Sequence, residues 1–296
     1  MGRMGRIGTL LAALTAMIAL AGPASAQGHA APMEPSAVPL PVQPQRVVSM
    51  NLCTDQLAMM LAAPGQLLSV SHLAADPRGS AMAEDAKAYR INRGLAEEIW
   101  LMQPDLVIAG SFSTRATVDM LRRLGVRVVI LRPAYGLDDI PDRLREMGTA
   151  LGRMDAAEAA VSDFNTRLTA LRDEVARRPR AALYYANGYT SGDKTLAGEI
   201  IATAGFTNIA AEAGLPSGGH LPLEVLAMAQ PEAVITGRPY PGASRSEEVL
   251  DHPAVQALRN TSVGAVLTDR DWICGTPHVL RAIDDMRNTR RRMEAE

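Results

Sequence analysis

The side chains best suited to binding or reaction in this 296-residue sequence include two cysteines and five histidines. Cys53 and Cys274 each follow a predicted strand in opposite halves of the chain. They either form a disulfide across the gap between the halves or remain separate thiols. His72 and His220 lie in predicted loops, where they either approach a metal or form ordinary hydrogen bonds. Their spacing matches no short zinc motif.

Motifs for hydrolysis or phosphate transfer are absent or incomplete. The sequence contains neither a G-x-S-x-G nor an H-E-x-x-H motif. Residues 188–195 resemble a phosphate-binding loop, but the first spacing is one residue short and Asp193 would repel a phosphate. We therefore predict a protein that is not an enzyme and has no resident cofactor or metal. The alternative from another class is a secreted hydrolase that uses Cys53 or Ser113 with His72.

Aromatic residues form 4% of the sequence, yet most of them follow predicted strands. Flat apolar faces with a polar edge suit a macrocycle or an aryl chelator, although such residues also cover sheet edges. Residues 51–54 precede a predicted helix, where backbone N–H groups can bind an anion or a polar ligand. The predicted ligand-binding residues are Asn51, Cys53, Thr54, His72, Tyr89, Arg93, Phe112, Arg115, Tyr135, Tyr185, Tyr189, His220, Tyr240, Trp272 and Cys274.

Residues 1–26 predict a cleaved signal peptide, which places the mature protein outside the cytoplasm. Arg3 and Arg6 precede the apolar run 10–20, and residues 24–26 fit a cleavage site. The run is shorter than the ~20 residues that span a bilayer. Residues 27–45 contain five prolines and predict an extended linker. The formal net charge of −2 argues against a nucleic-acid partner.

Strand-like and helical segments alternate from Arg46 onward, which predicts an α/β fold with mainly parallel sheets. Residues 154–178 lack Gly and Pro and predict one long helix between two Rossmann-like lobes, 46–153 and 179–296. The predicted strands are 46–51, 67–71, 106–110, 126–131, 181–186, 233–237 and 264–268. The other predicted helices are 54–63 with Thr54 as N-cap, 95–103, 114–124, 137–151, 195–204, 223–230, 247–252 and 279–293.

The two lobes carry a weak internal repeat, residues 97–110 and 224–237. Each copy has Glu seven residues before Pro, Gln directly before Pro, an acidic residue after it and an apolar strand that ends in Gly. In the first copy we expect Trp100 in the core. Two similar lobes create a cleft, and ligands commonly bind in such clefts.

These segments resemble the helical-backbone class of periplasmic substrate-binding proteins, the soluble components of ABC importers for cobalamin, ferric siderophores and haem. The resemblance rests on RVVSMNLCTDQLAMMLA at 46–62, LAEEIWLMQPDLVIAG at 95–110, the segment 224–237, and DRDWICGTPHVLRAIDDM at 269–286. The cobalamin-binding members are the most similar.

The resemblance implies a periplasmic monomer that clamps a large rigid ligand and delivers it to an ABC permease. A corrinoid is the expected ligand, with a ferric siderophore or haem as the alternative. In this class one glutamate per lobe docks on the permease, and the matching residues are Glu97 and Glu224. The connecting helix implies small lobe movements on binding.

Overall fold

The computed structural model describes residues 43–238, 242, 244–267 and 269–295. The strands are β1 (Val47–Ser49), β2 (Leu67–Ser71), β3 (Arg90–Asn92), β4 (Leu106–Gly110), β5 (Val128–Leu131), β6 (Arg180–Leu183), β7 (Tyr189–Thr190), β8 (Thr207–Asn208), β9 (Gly219–His220), β10 (Ala233–Thr236) and β11 (Val263–Val266). The helices are α1 (Leu52–Leu61), α2 (Ala96–Trp100), α3 (Arg115–Arg123), α4 (Asp139–Leu151), α5 (Met154–Leu171), α6 (Leu196–Thr203), α7 (Ile209–Glu212), α8 (Leu223–Ala229), α9 (Pro253–Thr261), α10 (Asp269–Trp272) and α11 (Val279–Ala295).

Two parallel sheets form the framework. The first has five strands in the order β3-β2-β1-β4-β5, and the second has four in the order β11-β10-β6-β8. β7 and β9 form a separate antiparallel pair. Strand β4 is buried along its whole length, as expected for a parallel strand covered on both faces. The predicted α/β fold class with two mainly parallel sheets is confirmed.

Edge strand β3 was not expected from the sequence. Its residues Arg90 and Ile91 are exposed, and only Asn92 points inward. The Asn92 side chain donates to the backbone oxygen of Ser49 at 2.8 Å and to the Ser69 hydroxyl at 2.9 Å. Such a strand lacks the apolar alternation on which sequence prediction relies.

Helix α5 is shorter than the predicted helix 154–178, because it ends at Leu171. Its 18 residues extend for about 27 Å. The segment after it is fixed by ion pairs that the local sequence does not reveal. Asp173 binds the guanidinium groups of Arg290 at 2.8 Å, Arg291 at 3.0 Å and Arg287 at 3.3 Å, all three on α11.

One hydrophobic core extends through both halves of the molecule. A single cluster of buried side chains includes Ile108 of the first sheet, Ile235 of the second and Phe164 of α5. Phe164 belongs to the buried stripe of α5, together with Ala157, Val161 and Leu168. The halves therefore cannot move far apart without exposing apolar surface to water.

Among the described residues, no helix has both the length and the apolar character needed to cross a membrane. The predicted signal peptide and nearly all of the predicted linker lie outside the described residues.

Asp55, in the first turn of α1, is a buried carboxyl group beneath the strand ends of the first sheet. It accepts a hydrogen bond from the Ser71 hydroxyl at 2.5 Å. Burial raises the pKa of Asp55 to about 6, although hydrogen bonds from Ser49 and Ser71 oppose the shift. The folded state therefore favours the protonated carboxyl group.

This shift predicts a pH-dependent contribution to stability. The contribution is fully present below the unfolded pKa of 3.8 and is lost as the pH rises through about 6. Between pH 4 and pH 7, the free energy of unfolding should fall by roughly 2 kcal/mol more in the wild type than in Asp55→Asn. Denaturant titration at both pH values measures the difference. Equal pH dependence in both proteins would contradict the shift.

Candidate functional site

Two cavities open at the carboxyl ends of the parallel strands. The N-side cavity has a volume of about 270 Å³ and the C-side cavity about 300 Å³. Ile273 lines both of them. The N-side cavity is lined by Asn51, Leu52, Cys53, Thr54, Leu57, Gly110, Ser111, Phe112, Leu131, Arg132, Pro133, Ala134, Arg143, Ile273 and Cys274. The C-side cavity is lined by Tyr185, Ala186, Tyr189, Ser191, Gly237, Arg238, Glu247, Leu250, Asp269, Trp272 and Ile273.

The start of α1 shapes one wall of the N-side cavity. The predicted N-cap, Thr54, is wrong: Asn51 caps the helix, and its side-chain oxygen accepts from the Cys53 N–H at 3.1 Å. Thr54 is buried inside the first turn, where its hydroxyl donates to the Asn51 backbone oxygen at 3.0 Å. A Cβ at position 110 would lie 2.7 Å from the Asn51 side chain, so a larger residue there would displace this N-cap.

Cys53 and Cys274 form a disulfide that joins the two halves across 221 positions of sequence. Beside it, Gly275 packs so closely on Ala134 that a Cβ at position 275 would lie 2.5 Å from that of Ala134. Gly275 also has a φ of +54°, a region that favours glycine. Both cysteines line the N-side cavity, so this cavity lies at the junction of the two halves.

Hydrogen bonds link the halves at further places. Arg78 donates to the backbone oxygen of Arg238 at 3.1 Å. The Leu137 N–H donates to the Glu199 carboxylate at 2.6 Å. These contacts limit the relative motion of the two cavities.

Three aromatic residues, Tyr185, Tyr189 and Trp272, line the C-side cavity. Tyr185 and Trp272 stack with ring centroids 6.1 Å apart and an angle of 19° between the planes. Burial raises the pKa of Tyr185 above its usual range, so this residue stays neutral. Burial also raises the pKa of Asp269, although the nearby guanidinium groups of Arg78 and Arg238 oppose the shift.

The N-side cavity is lined by two arginines and no acidic residue. Arg132 is exposed at the wall. Arg143 is only 5% exposed, donates to the Arg132 backbone oxygen at 3.5 Å and pairs with Glu146 at 3.0 Å. This arrangement favours an anionic group in the N-side cavity. Arg143 is not among the residues predicted from the sequence; the available signal was a charged residue beside Ile140 and Leu144, which are buried in α4.

The predicted ligand-binding residues separate into two sets. Asn51, Cys53, Thr54, Phe112 and Cys274 line the N-side cavity, and Tyr185, Tyr189 and Trp272 line the C-side cavity. Neither cavity is lined by His72, Tyr89, Arg93, Arg115, Tyr135 or His220. Tyr240 lies outside the described residues.

The two histidines considered as metal ligands lie away from the cavities. His220 is exposed and its Nδ1 is 3.0 Å from the backbone oxygen of Asn187. His72 is exposed in the turn after β2. In the part of the chain that the structure describes, no group of three or more His, Cys, Asp or Glu side chains could bind a metal ion.

Further residues of the C-side cavity were also not predicted, among them Glu247, Leu250 and Asp269. Glu247 and Leu250 come from the segment before α9, and Asp269 begins α10. Asp269 follows strand β11, so its position after a strand was the available signal. Glu247 and Leu250 do not directly follow a strand, so the sequence contained no comparable signal for them.

The disulfide predicts a large loss of stability when both cysteines are replaced. Loop closure over 221 positions is worth roughly 5 kcal/mol in the chain-entropy description. We expect the free energy of unfolding of the Cys53→Ala/Cys274→Ala variant to be lower than that of the wild type by an amount of this order. Denaturant titration measures the difference. As a control, the denatured and unreduced wild type should show no thiol by iodoacetamide labelling. Equal stability of the variant and the wild type would contradict the prediction.

A Halobacterium salinarum protein named cobalamin-binding protein is 28% identical over 235 residues, which are 78% of this chain and 63% of that protein. The chain thus spans less than two thirds of that relative's length.

Two solved structures have a similar fold. The periplasmic heme-binding protein RhuT from Roseiflexus sp. RS-1 has a TM-score of 0.67 at 24% identity, over 83% of this chain and 97% of that chain. The periplasmic vitamin B12 binding protein BtuF of Vibrio cholerae has a TM-score of 0.62 at 20% identity, over 86% and 99%. At these identities the likeness establishes the fold alone. Residues 47–269 match the family described as periplasmic binding protein, and the chain therefore belongs to that family.

Proposed function

We propose that the chain is the substrate-binding protein of an ABC importer, which captures a corrinoid between its halves and delivers it to the membrane permease. The observation that carries the proposal is the pair of neighbouring cavities that share Ile273 in their lining, the first of which is also lined by the Cys53–Cys274 disulfide. The signal peptide at residues 1–26 directs the chain to the periplasm, where a disulfide persists. The protein acts there as a monomer.

The chemistry of a corrinoid suits both cavities. Its flat macrocycle has apolar faces that pack on the Tyr185–Trp272 pair and on Phe112, which is 80% exposed at the N-side cavity. The nucleotide loop of cobalamin contains a phosphodiester, which the guanidinium groups of Arg132 and Arg143 complement. The name of the Halobacterium relative supports the same ligand.

Haem is the second candidate, supported by Tyr189. This residue is exposed at the C-side cavity, and a phenolate oxygen can bind ferric iron. A ferric siderophore is the third, because anionic chelates also complement Arg132 and Arg143.

Binding without turnover is the proposed mode of action. The hydrolase alternative needs a thiol at Cys53 or an activated hydroxyl at Ser113. The sulfur of Cys53 is bonded to Cys274, and the Ser113 hydroxyl accepts from the Gly110 N–H at 3.1 Å. A panel of generic esters should remain unhydrolysed.

Docking on the permease takes place through Glu97 on α2 and Glu224 on α8. Both side chains are exposed in the first turn of their helices. Two separated carboxylates fix the orientation of the protein against a basic partner and steer its approach.

The decisive experiment is the absorption spectrum of the protein purified from the periplasm, followed by titration with cyanocobalamin, haemin and a ferric hydroxamate. We expect stoichiometric binding of cyanocobalamin. Trp272→Ala should weaken it about tenfold or more, because the Tyr185 ring loses its stacking partner and the ligand loses an apolar face. Trp100→Ala is the matched control and should leave the affinity unchanged. Preferential binding of haemin, lost in Tyr189→Phe, would establish haem instead.

The role of the arginines predicts discrimination between two corrinoids. Arg132→Ala should weaken cyanocobalamin binding about tenfold, because a charge-assisted contact to the phosphodiester is lost. Cobinamide lacks that phosphodiester, so its affinity should stay the same. Isothermal titration calorimetry with both corrinoids measures the two affinities. An equal loss of affinity for both corrinoids would show that Arg132 does not contact the phosphodiester.

A further inference from the structure

Two hydrogen-bond donors in the wall of the C-side cavity lack an acceptor among the described residues. The Trp272 Nε1–H is buried and makes no hydrogen bond in that part of the chain. The Tyr185 hydroxyl is also buried; it lies beside the Ser191 hydroxyl but forms no hydrogen bond of normal geometry with it. Buried polar groups nearly always have a partner, so two such donors in one wall indicate that a bound molecule supplies the acceptor.

Both groups are suited to donate. An indole N–H can only donate. Burial raises the pKa of Tyr185, so its hydroxyl keeps its proton. Because the rings of Tyr185 and Trp272 stack on each other, both donors belong to the same region of the wall.

Carboxyl groups line the cavity beside these donors. Asp269 and Trp272 are the first and last residues of α10, and residues three apart lie on one face of a helix. The charge of Asp269 also raises the pKa of Tyr185, which places this carboxyl group near the stacked pair. Glu247 lines the cavity as well. The wall therefore offers acceptors next to donors.

The cations around the C-side cavity do not outnumber the carboxyl groups. Arg238 lines the cavity, and Arg78 from the other half donates to the Arg238 backbone oxygen at 3.1 Å. Both guanidinium groups lie near Asp269, because they act to lower its pKa. Together with Asp269 and Glu247 they leave no net positive charge for an anion. The N-side cavity differs, since two arginines and no acidic residue line it.

A primary carboxamide complements this wall better than an ion does. Its oxygen accepts from the Trp272 and Tyr185 donors, and its NH₂ group donates to a carboxylate. A carboxylate of a ligand would meet Asp269 and Glu247 as like charges. An ammonium group would leave both donors without an acceptor. Corrinoids have primary carboxamides around the macrocycle, whereas haem has carboxylates at its edge.

We infer that the C-side cavity is a carboxamide subsite: Trp272 Nε1–H and the Tyr185 hydroxyl donate to the oxygen of one peripheral amide of the ligand, and the Asp269 carboxylate accepts from its NH₂ group. The inference rests on the proposed function, since it takes a corrinoid as the ligand. It adds the groups that distinguish an amide from a carboxylate at the edge of the macrocycle.

The amide can reach the buried donors from the open side of the cavity. Tyr189 and Ile273 line the cavity and are 48% and 50% exposed, and exposed side chains change rotamer rapidly. With the phosphodiester at Arg132 and Arg143 in the N-side cavity, the amide in the C-side cavity fixes the direction in which the corrinoid lies across the cleft.

Removal of single donors tests the hydrogen bonds. Trp272→Phe keeps an aromatic ring beside Tyr185 but removes the N–H, and we expect it to weaken cyanocobalamin binding about fivefold in isothermal titration calorimetry. Tyr185→Phe should have an effect of similar size. Trp100→Phe is the matched control and should bind like the wild type. Trp100, expected in the core, is instead 47% exposed at the end of α2 and lines neither cavity.

Hydrolysis of one amide at a time tests the specificity. The probes are derivatives of cyanocobalamin with one peripheral carboxamide converted to a carboxylate, one derivative for each position. The derivative altered at the bound amide should bind the wild type about tenfold or more weakly than cyanocobalamin. Asp269→Asn removes the opposing charge and should bring these two affinities to within about threefold of each other. A merely structural role of Asp269 would change both affinities alike.

Three outcomes would contradict the inference. Wild-type affinity of Trp272→Phe and Tyr185→Phe for cyanocobalamin would overturn the carboxamide subsite and leave the proposed function intact. Equal affinity of the wild type for cyanocobalamin and for every hydrolysed derivative would do the same. A wild-type protein that does not bind cyanocobalamin would overturn the proposed corrinoid ligand, and with it this inference.

Discussion

The covalent bond between Cys53 and Cys274 fixes the distance between the two halves at a place where both contribute to the same cavity. It joins the first turn of α1 to the segment that precedes α11, and Gly275 packs against Ala134 directly beside it. Behind this point the halves share one hydrophobic core through α5. The cleft is therefore already formed in the absence of a ligand. Binding then costs little conformational entropy, because few groups of the protein have to become ordered.

Much of the framework could be predicted from the sequence because buried parallel strands are short apolar runs. The bounds of β2 and β4 agree with the predicted strands, and the repeat predicted equivalent helices. The end of α5 could not be predicted, because it depends on Asp173 meeting three arginines more than a hundred residues away. Strand β3 could not be predicted either, because its one inward side chain, Asn92, is polar.

For the site, too, local features could be predicted from the sequence, whereas features that depend on the arrangement of distant segments could not. Residues that follow β1, β4 and β5 reach the N-side cavity, whereas His72 after β2 and Arg93 after β3 do not. The strand order explains this, because β2 and β3 lie on the opposite side of β1 from β4 and β5. A position after a strand can be read from sequence, but the place of that strand in the sheet cannot. Arg143 was missed for a related reason: it reaches the cavity from the middle of a helix.

The disulfide also determines how simply the protein matures. This sequence contains two cysteines, so within the chain an oxidised Cys53 has no wrong partner to choose. The correct partner lies 221 positions later and is synthesised long after the first sheet. Oxidation is therefore a late step that needs no reshuffling, and its main competitor is pairing between two chains.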